Sequence, residues 1–563
     1  MAQLEPGPIC HSVLTQQKPH RSTKVWKESH RMNEPLRCCR YDSAFWDSKL
    51  QSDDRIMTYI RLAGFYGVSR LGCIMLDWPL ITAMVDRWRP ETHCFQLPFG
   101  EVTITLQDVE MLLGLRVDGL PVTSSFPKRT SEECCDTCHD LLGVRPDKES
   151  ISGASRLVIT CLQNPTPLTK HSTDKDVQRM ARLRIMQLLG GMLFPSTSNN
   201  MVRLCFLDLI ADLEGASEYS WGSAVLAYLY RCMCKATMKS ASVIGGALIL
   251  LQLWVWEHIA LFSPKMLSFP ADLPDRPRGA RWSGERCFDD VANHVLKAYR
   301  DQLDHMTCDQ FEWRPYGDNL DEYPDFCKAG EVIWMTKSPL IMYEVVEWHL
   351  PDRVLRQFGK FKQPPPANFD TEPKLHKIDG RGKGCADWSL RHEKYVREWE
   401  KRQENVVRAV ADDDEDRRWE GEYDKWFELI GRRIITNPVH RHARGFMPLA
   451  SKLEHLTRVI HDISWMARDE LEKNTDISEE HQGYIAINET CVEALKLIGE
   501  EKRLESRPDL PIRPSDDADV ADDDGDAPPR ARDRHRDPAD GPQPRRGGRR
   551  KKIRVVEGAA AQN

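Results

Sequence analysis

The stretch WRPETHCFQLPFGEVTITLQDVEMLLGLRVDG, Trp88 to Gly119, decides how the chain reads. Cys94-Phe95-Gln96-Leu97 and Val102-Thr103-Ile104-Thr105 alternate like two short strands around a turn at Pro98–Glu101. Thr105-Leu106-Gln107-Asp108 then has the form of a capping box, with Asp in place of the usual Glu. Leu106, Val109, Leu112 and Leu113 give one apolar face of a helix, and Gly114 closes it. The same stretch holds Glu91, His93, Cys94, Glu101 and Asp108, residue types from which active sites are made. In a hairpin they diverge. Cys94 and Phe95 are strand neighbours and face opposite sides, His93 shares a face with Phe95, and Glu101 belongs to the turn. The stretch therefore reads as scaffold.

Outward from it, helices dominate. Asp77-Trp78-Pro79 opens one: Asp77 caps it and Pro79 sits in the first turn. Leu80, Ile81, Met84, Val85 and Trp88 form its apolar stripe, and Pro90 stops it. Ile56, Tyr59, Ile60 and Ala63 line an earlier helix. Further helices are expected at Met180–Leu193, Val202–Leu213, Ser223–Cys234 and Ser242–His258. The last is the most apolar part of the chain. The apolar run from Ala241 to Trp256 would rise about 24 Å as a helix, short of the roughly 30 Å hydrocarbon core. Glu257 and His258 then interrupt it, so it reads as a buried core helix. Leu449, Leu453, Leu456, Ile460, Ile463 and Ala467 step 4-3-4-3-4, which is a helix packed on the body and too short a pattern for a coiled coil.

The expected fold is mainly α: a compact multi-helix domain with a small β-hairpin near 93–105, a helical C-terminal extension and a disordered tail. Residues 1–50 read as loosely ordered, 51–402 as the main domain, 403–505 as a charged helical extension and 506–563 as disordered. The tail runs from acidic to basic. Seven aspartates fall in Ser515–Asp526 and seven Lys/Arg in Arg545–Arg554, with no aromatic residue after Arg513. Such a segment buries too little apolar surface to offset chain entropy. Its basic cluster, Arg545, Arg546, Arg549, Arg550, Lys551 and Lys552, is a candidate nuclear import signal.

The net charge of -7 over 563 residues gives no global attraction to nucleic acid or anionic membrane. The 17 cysteines are odd in number and show no even spacing, and the N-terminus carries no charged-then-apolar leader. Free thiols in a reducing compartment are expected.

Several further segments fall in a consistent order: AGFYGVSRL (63–71), WGSAVLAYLYRCMCKA (221–236), GGALILLQLWVWEHI (245–259), YRDQLDHMTCDQFEWRPY (299–316), VEWHLPDRVLRQFG (346–359) and HKIDGRGKGCADWSLRHEKYVREWEKR (376–402). With the opening stretch, they resemble the plant mobile domain family, also labelled "aminotransferase-like, plant mobile domain". It is the kind found in MAINTENANCE OF MERISTEMS proteins and their relatives, some of them long-form homologs of protein phosphatase seven. The resemblance assigns a signature to Trp88, Arg89, Pro90, Glu91, Thr92, His93, Leu97, Gly100, Glu101, Asp108 and Gly114, then Trp221, Gly222, Trp254, Trp348, His349, Leu350 and Pro351. It implies a transposon-derived nuclear protein in transposon silencing, genome maintenance and meristem maintenance. It also implies nuclear protein partners, among them a phosphatase of the protein phosphatase seven type.

The residues themselves do not support the enzyme labels. An aminotransferase needs a Schiff-base lysine on an α/β scaffold, and buried strands do not alternate with helices here. Gly380-Arg381-Gly382-Lys383-Gly384 follows no strand and reads as a basic turn. A metallophosphatase needs Asp/His/Asn blocks for two metals. Asp533-Arg534-His535 falls in the tail, and Gly317-Asp318 has no companions. Cys135-Asp136-Thr137-Cys138-His139 matches a haem-attachment form but reads as ordinary cysteines at a helix start. His258 and His349 read as core histidines. The chain is thus expected to be non-catalytic, with no cofactor, no metal and no membrane partner. The alternative is a DNA-binding protein of a transposable element. Thr105–Leu115 could start a helix-turn-helix, but Arg116-Val117-Asp118-Gly119 is not a recognition helix, so nucleic-acid contact is expected to be weak or indirect.

Overall fold

Local side-chain caps start several of the helices. Asp77 accepts the Leu80 N–H and opens Trp78–Arg87, with Pro79 in the first turn. Reciprocal boxes open three more helices: Thr105/Asp108 for Leu106–Leu113, Thr130/Glu133 for Ser131–Leu142, and Thr173/Asp176 for Asp174–Leu188. Gly114 closes the first of these in the left-handed region, at φ 61. The computed structural model describes residues 6–27, 32, 34–46, 53–125, 128–197, 200–287, 295–365, 369–378, 387–409, 421–437, 452–473 and 479–497.

Leu248–His258 is buried along its whole length and packs against Trp78–Arg87 and Leu106–Leu113. Among the described residues, no helix is long and apolar enough to cross a membrane. Trp221–Ala236 packs on Leu106–Leu113 and Leu296–Asp304 on Trp78–Arg87, while Asp174–Leu188 packs on Asp54–Leu62 and Ser131–Leu142. The sheets are small. Trp88–Arg89, Cys94–Leu97 and Gly100–Val102 form a three-stranded antiparallel sheet. Pro339–Met342 and Val345–Trp348 form a hairpin that packs on Trp221–Ala236.

The sheet corrects the sequence expectation in register. Phe95 pairs with Val102, Gln96 with Glu101 and Leu97 with Gly100, so the turn is only Pro98-Phe99. Glu101 is therefore a strand residue, because Gly100 (φ 152) lets the chain re-enter the ladder early. The helix expected at Val202–Leu213 is instead the strand Met201–Arg203 followed by Cys205–Leu209. The helix expected from Ser242 begins only at Leu248. Val243–Ile244 pairs in parallel with Arg37–Cys38, and a Cβ on Gly245 would meet the Pro195 carbonyl oxygen at 2.4 Å.

The N-terminal segment, read as loosely ordered, is packed where it is described. It carries the helix Arg21–Lys27 and buries Leu14, Val25, Leu36 and Phe45. Two compact units are present, residues 1–460 and 461–563. In the second, the Ser464 hydroxyl lies 2.8 Å from Asn488 Oδ1 of the helix Glu479–Leu497. The glycine-rich loop 380–384 and the tail, with Asp533–His535 and Arg545–Lys552, lie outside the described residues.

Candidate functional site

The turn after Trp88–Arg89 is built by its own backbone. The Thr92 and His93 N–H groups both donate to the Arg89 carbonyl, at 3.2 and 2.8 Å. His93 takes φ 49, a left-handed conformation uncommon for a residue with a side chain. Its ring is buried nearly parallel to the Trp88 indole (centroids 6.0 Å, 13°) and to the His376 ring (5.7 Å, 8°). Nδ1 lies 2.8 Å from the Trp348 carbonyl oxygen. Nε2 lies 3.0 Å from Glu347 Oε2, and His376 Nε2 reaches that same oxygen at 3.0 Å. Arg231, on Trp221–Ala236, grips the other carboxylate oxygen through Nε and the Val346 carbonyl through Nη2 (3.1 Å). Cys234, one turn further along that helix, accepts the Trp88 indole N–H at 3.2 Å.

Burial pushes the Glu347 carboxyl up more than any one neighbour pulls it down, but Arg231, His376 and His93 together outweigh it. The group is held well below the usual carboxylate range. Burial raises the Cys234 thiol well above its ordinary value, and Glu347 adds to the shift. The nitrogens of His93 and His376 and the sulfur of Cys234 all lie within 4.8 Å of one another.

The other signature charges are engaged elsewhere. Glu101 accepts from Arg353 Nη2 (2.9 Å) and Gln96 Nε2 (2.7 Å), and its backbone N–H donates to the Tyr423 hydroxyl oxygen (2.9 Å). Asp108 closes its capping box with one oxygen. With the other it accepts from the Tyr316 hydroxyl (2.7 Å) and lies 3.2 Å from His258 Nε2. His349 Nδ1 lies 2.8 Å from the Thr336 carbonyl oxygen, and burial lowers this histidine to about 4. Arg89 is buried and donates to Ser22 Oγ at 3.1 Å, while Glu91 accepts the Gln16 N–H. The neighbours Asp86 and Arg87 form buried pairs, with Arg21 and Arg300 and with Asp304 respectively.

The aromatic and small signature residues pack. Trp88 lies 4.9 Å from both Phe95 and Tyr230, Trp254 stacks on Phe95 at 5.3 Å, and the Trp221 indole donates to the Ala216 carbonyl (2.9 Å). Gly222 sits where a Cβ would meet the Leu115 carbonyl oxygen at 2.7 Å. Leu97, Thr92, Pro90 and Leu350 are buried, Pro351 opens a short 3₁₀ turn, and Trp348 is half-buried against Phe369. The helix Leu106–Leu113 is buried at every position except Gln107, so no face of it is free to enter a DNA groove. Cys134, Cys135 and Cys138 are buried free thiols on Ser131–Leu142, and His139 faces solvent.

His93 and Glu101 have different partners, although Glu101 lies in a strand and not in the turn. Sequence reasoning missed that His93 meets Glu347, His376 and Cys234. A carboxylate inside the otherwise apolar strand Val345-Val346-Glu347-Trp348 was the available signal. His349, two residues on, drew attention instead, and its Nδ1 is taken up by a backbone carbonyl.

A mainly helical domain cross-linked inside by buried ion pairs is the class of protein these features define. Residues 64–428 match the family described as plant mobile domain, and the chain belongs to that family. It is 38% identical over 504 residues, 88% of its length, to the "Serine/threonine-protein phosphatase 7 long form homolog" of Arabidopsis thaliana, and covers 37% of that protein. It is 34% identical over 436 residues to "Protein MAIN-LIKE 2" of the same plant, which covers 77% of the chain and 62% of that protein. It is 32% identical over 420 residues to "Protein MAINTENANCE OF MERISTEMS", covering 74% of the chain and 82% of that protein. The chain thus spans less than two-thirds of the first two relatives. No solved structure matches.

Proposed function

We propose that this plant mobile domain protein is non-catalytic and nuclear, and that it acts through protein contacts in transposon silencing, genome maintenance and meristem maintenance. The observation that supports this reading is where its charged signature residues are used. Glu101, Asp108 and His349 are each bound to internal partners. Groups already committed to buried partners are poorly placed to take up a substrate. The relative named for meristem maintenance supports that part of the reading. The relative named as a phosphatase 7 long form homolog favours a phosphatase of that type as partner. The paired helices also expose Ile463, Met466, Ile485 and Ile487, apolar surface of the kind a protein partner covers.

The test is affinity purification of the tagged chain from nuclease-treated plant nuclei, followed by mass spectrometry. A reproducible set of nuclear proteins that survives nuclease treatment is expected. Recovery that disappears with the DNA would favour the alternative, a DNA-binding protein of a transposable element. Phosphatase or transaminase turnover by the purified chain would overturn the non-catalytic reading.

A further inference from the structure

We propose that His93, Cys234, Glu347 and His376 form a structural zinc site. No two of these ligands come from the same segment. His93 lies in the turn before Cys94–Leu97, Cys234 on Trp221–Ala236, Glu347 on Val345–Trp348, and His376 on the 3₁₀ turn Leu375–Lys377.

The distances approach those of a coordination shell. Around a tetrahedral ion with bonds of roughly 2.0–2.3 Å, neighbouring donor atoms stand roughly 3.3–3.7 Å apart. The two imidazole nitrogens and the sulfur fall within 4.8 Å of one another, and Glu347 Oε2 is 3.0 Å from each nitrogen. Glu347 stands outside the three-residue group that meets this limit, so its oxygen must draw toward the Cys234 sulfur to complete the shell.

The directions point the same way. At 3.0 Å these contacts have hydrogen-bond length, yet His93 Nε2, His376 Nε2 and Glu347 Oε2 have no partner at hydrogen-bond angles. Three buried polar atoms that meet only one another, and off hydrogen-bond angles, are poorly satisfied. An ion at their common focus satisfies all three. His93 also holds a left-handed backbone conformation, the kind of local strain that collects at functional sites.

The surroundings supply what metal ligands require. The Trp348 carbonyl accepts from His93 Nδ1 and leaves Nε2 as the donor to an ion. Arg231 fixes the free oxygen of Glu347, and the Trp88 indole N–H donates to the sulfur. One thiolate, one carboxylate and two neutral imidazoles suit zinc rather than calcium or magnesium, which take oxygen ligands. Thiolate and carboxylate supply two negative charges to the ion. Four protein ligands leave no position for a reacting water, which makes the site structural. His376 is half-buried and offers the way in.

The full chain, expressed with zinc and dialysed, should retain one zinc per chain. With cobalt(II) in its place, the protein should show tetrahedral d–d bands and a thiolate-to-cobalt charge-transfer band. Cys234→Ser should abolish the charge-transfer band. His376→Ala, at the half-buried ligand, should weaken zinc retention by at least tenfold. Cys38→Ser, a buried cysteine outside the cluster, should change neither. If Cys234→Ser fails to fold, X-ray absorption on the wild-type zinc protein reads the ligand set directly, and two imidazoles with one sulfur are expected. A folded wild-type chain that retains neither zinc nor cobalt overturns the proposal. So does a bound metal without a sulfur ligand, and so does a charge-transfer band that survives in Cys234→Ser.

Discussion

Replacing Glu110 by glutamine should change how the stability of the domain depends on pH. Glu110 is buried on Leu106–Leu113, where it accepts from the Gly330 N–H (2.9 and 3.0 Å) and from the Trp334 indole (2.7 Å). Burial raises its carboxyl from 4.5 to about 7, against the opposing pull of those two donors. Between these values the folded protein keeps a proton that the unfolded chain has released. The contribution of this proton is therefore fully present below about pH 4.5 and is lost as pH rises through about 7. At about 1.4 kcal/mol per pKa unit, the span is worth about 3 kcal/mol. Glutamine has no proton to lose, and its amide oxygen still accepts from Trp334 or Gly330. Paired urea titrations of the wild-type chain and Glu110→Gln, from pH 5 to pH 8.5, isolate this group because other titrations cancel in the difference. The variant should gain about 2–3 kcal/mol relative to wild type across that range. A difference that stays flat would refute the reasoning, since a carboxylate ionised in both states gives no such slope.

Two further outcomes are expected. Trp88→Ala removes a fully buried ring that touches Phe95, Tyr230 and Cys234, and should destabilise the fold by about 3–5 kcal/mol in urea titration; wild-type stability with loss of a partner would make Trp88 a surface anchor instead. Alanines at Arg549, Arg550, Lys551 and Lys552 should move a fluorescent fusion from nucleus to cytoplasm, and an unchanged nuclear signal would remove that cluster from the account.

What was legible in the sequence is what short-range chemistry determines. The Thr105/Asp108 box, the Asp77 cap and the Gly114 exit stand where spacing placed them. The turn at Pro98-Phe99 was read two residues too long, because Gly100 and Glu101 carry no local mark of strand. Val202 was read as helical because apolar spacing in Val202–Leu213 fits either period; its pairing with Leu157 is long-range and invisible locally. The candidate site escaped for the same reason. The first and last of its four side chains, His93 and His376, stand 283 positions apart, and no short ligand motif announces them. His93 was marked by its segment, but the partners of its ring are set by how the Val345–Trp348 strand packs on Trp221–Ala236.

The central claim is that the charged signature residues hold the domain together from inside. A double-mutant cycle on Glu101 and Arg353 tests it most directly. Glu101 is buried against Arg353, whose guanidinium it holds above its ordinary range despite burial. Removing either charge leaves the other buried and uncompensated, at about 3–5 kcal/mol each. The account predicts that Glu101→Gln and Arg353→Met each destabilise strongly, and that the double variant recovers about 2–3 kcal/mol of their summed loss. Additive, small losses in urea titration would contradict it, because Glu101 would then be free for a role outside the fold.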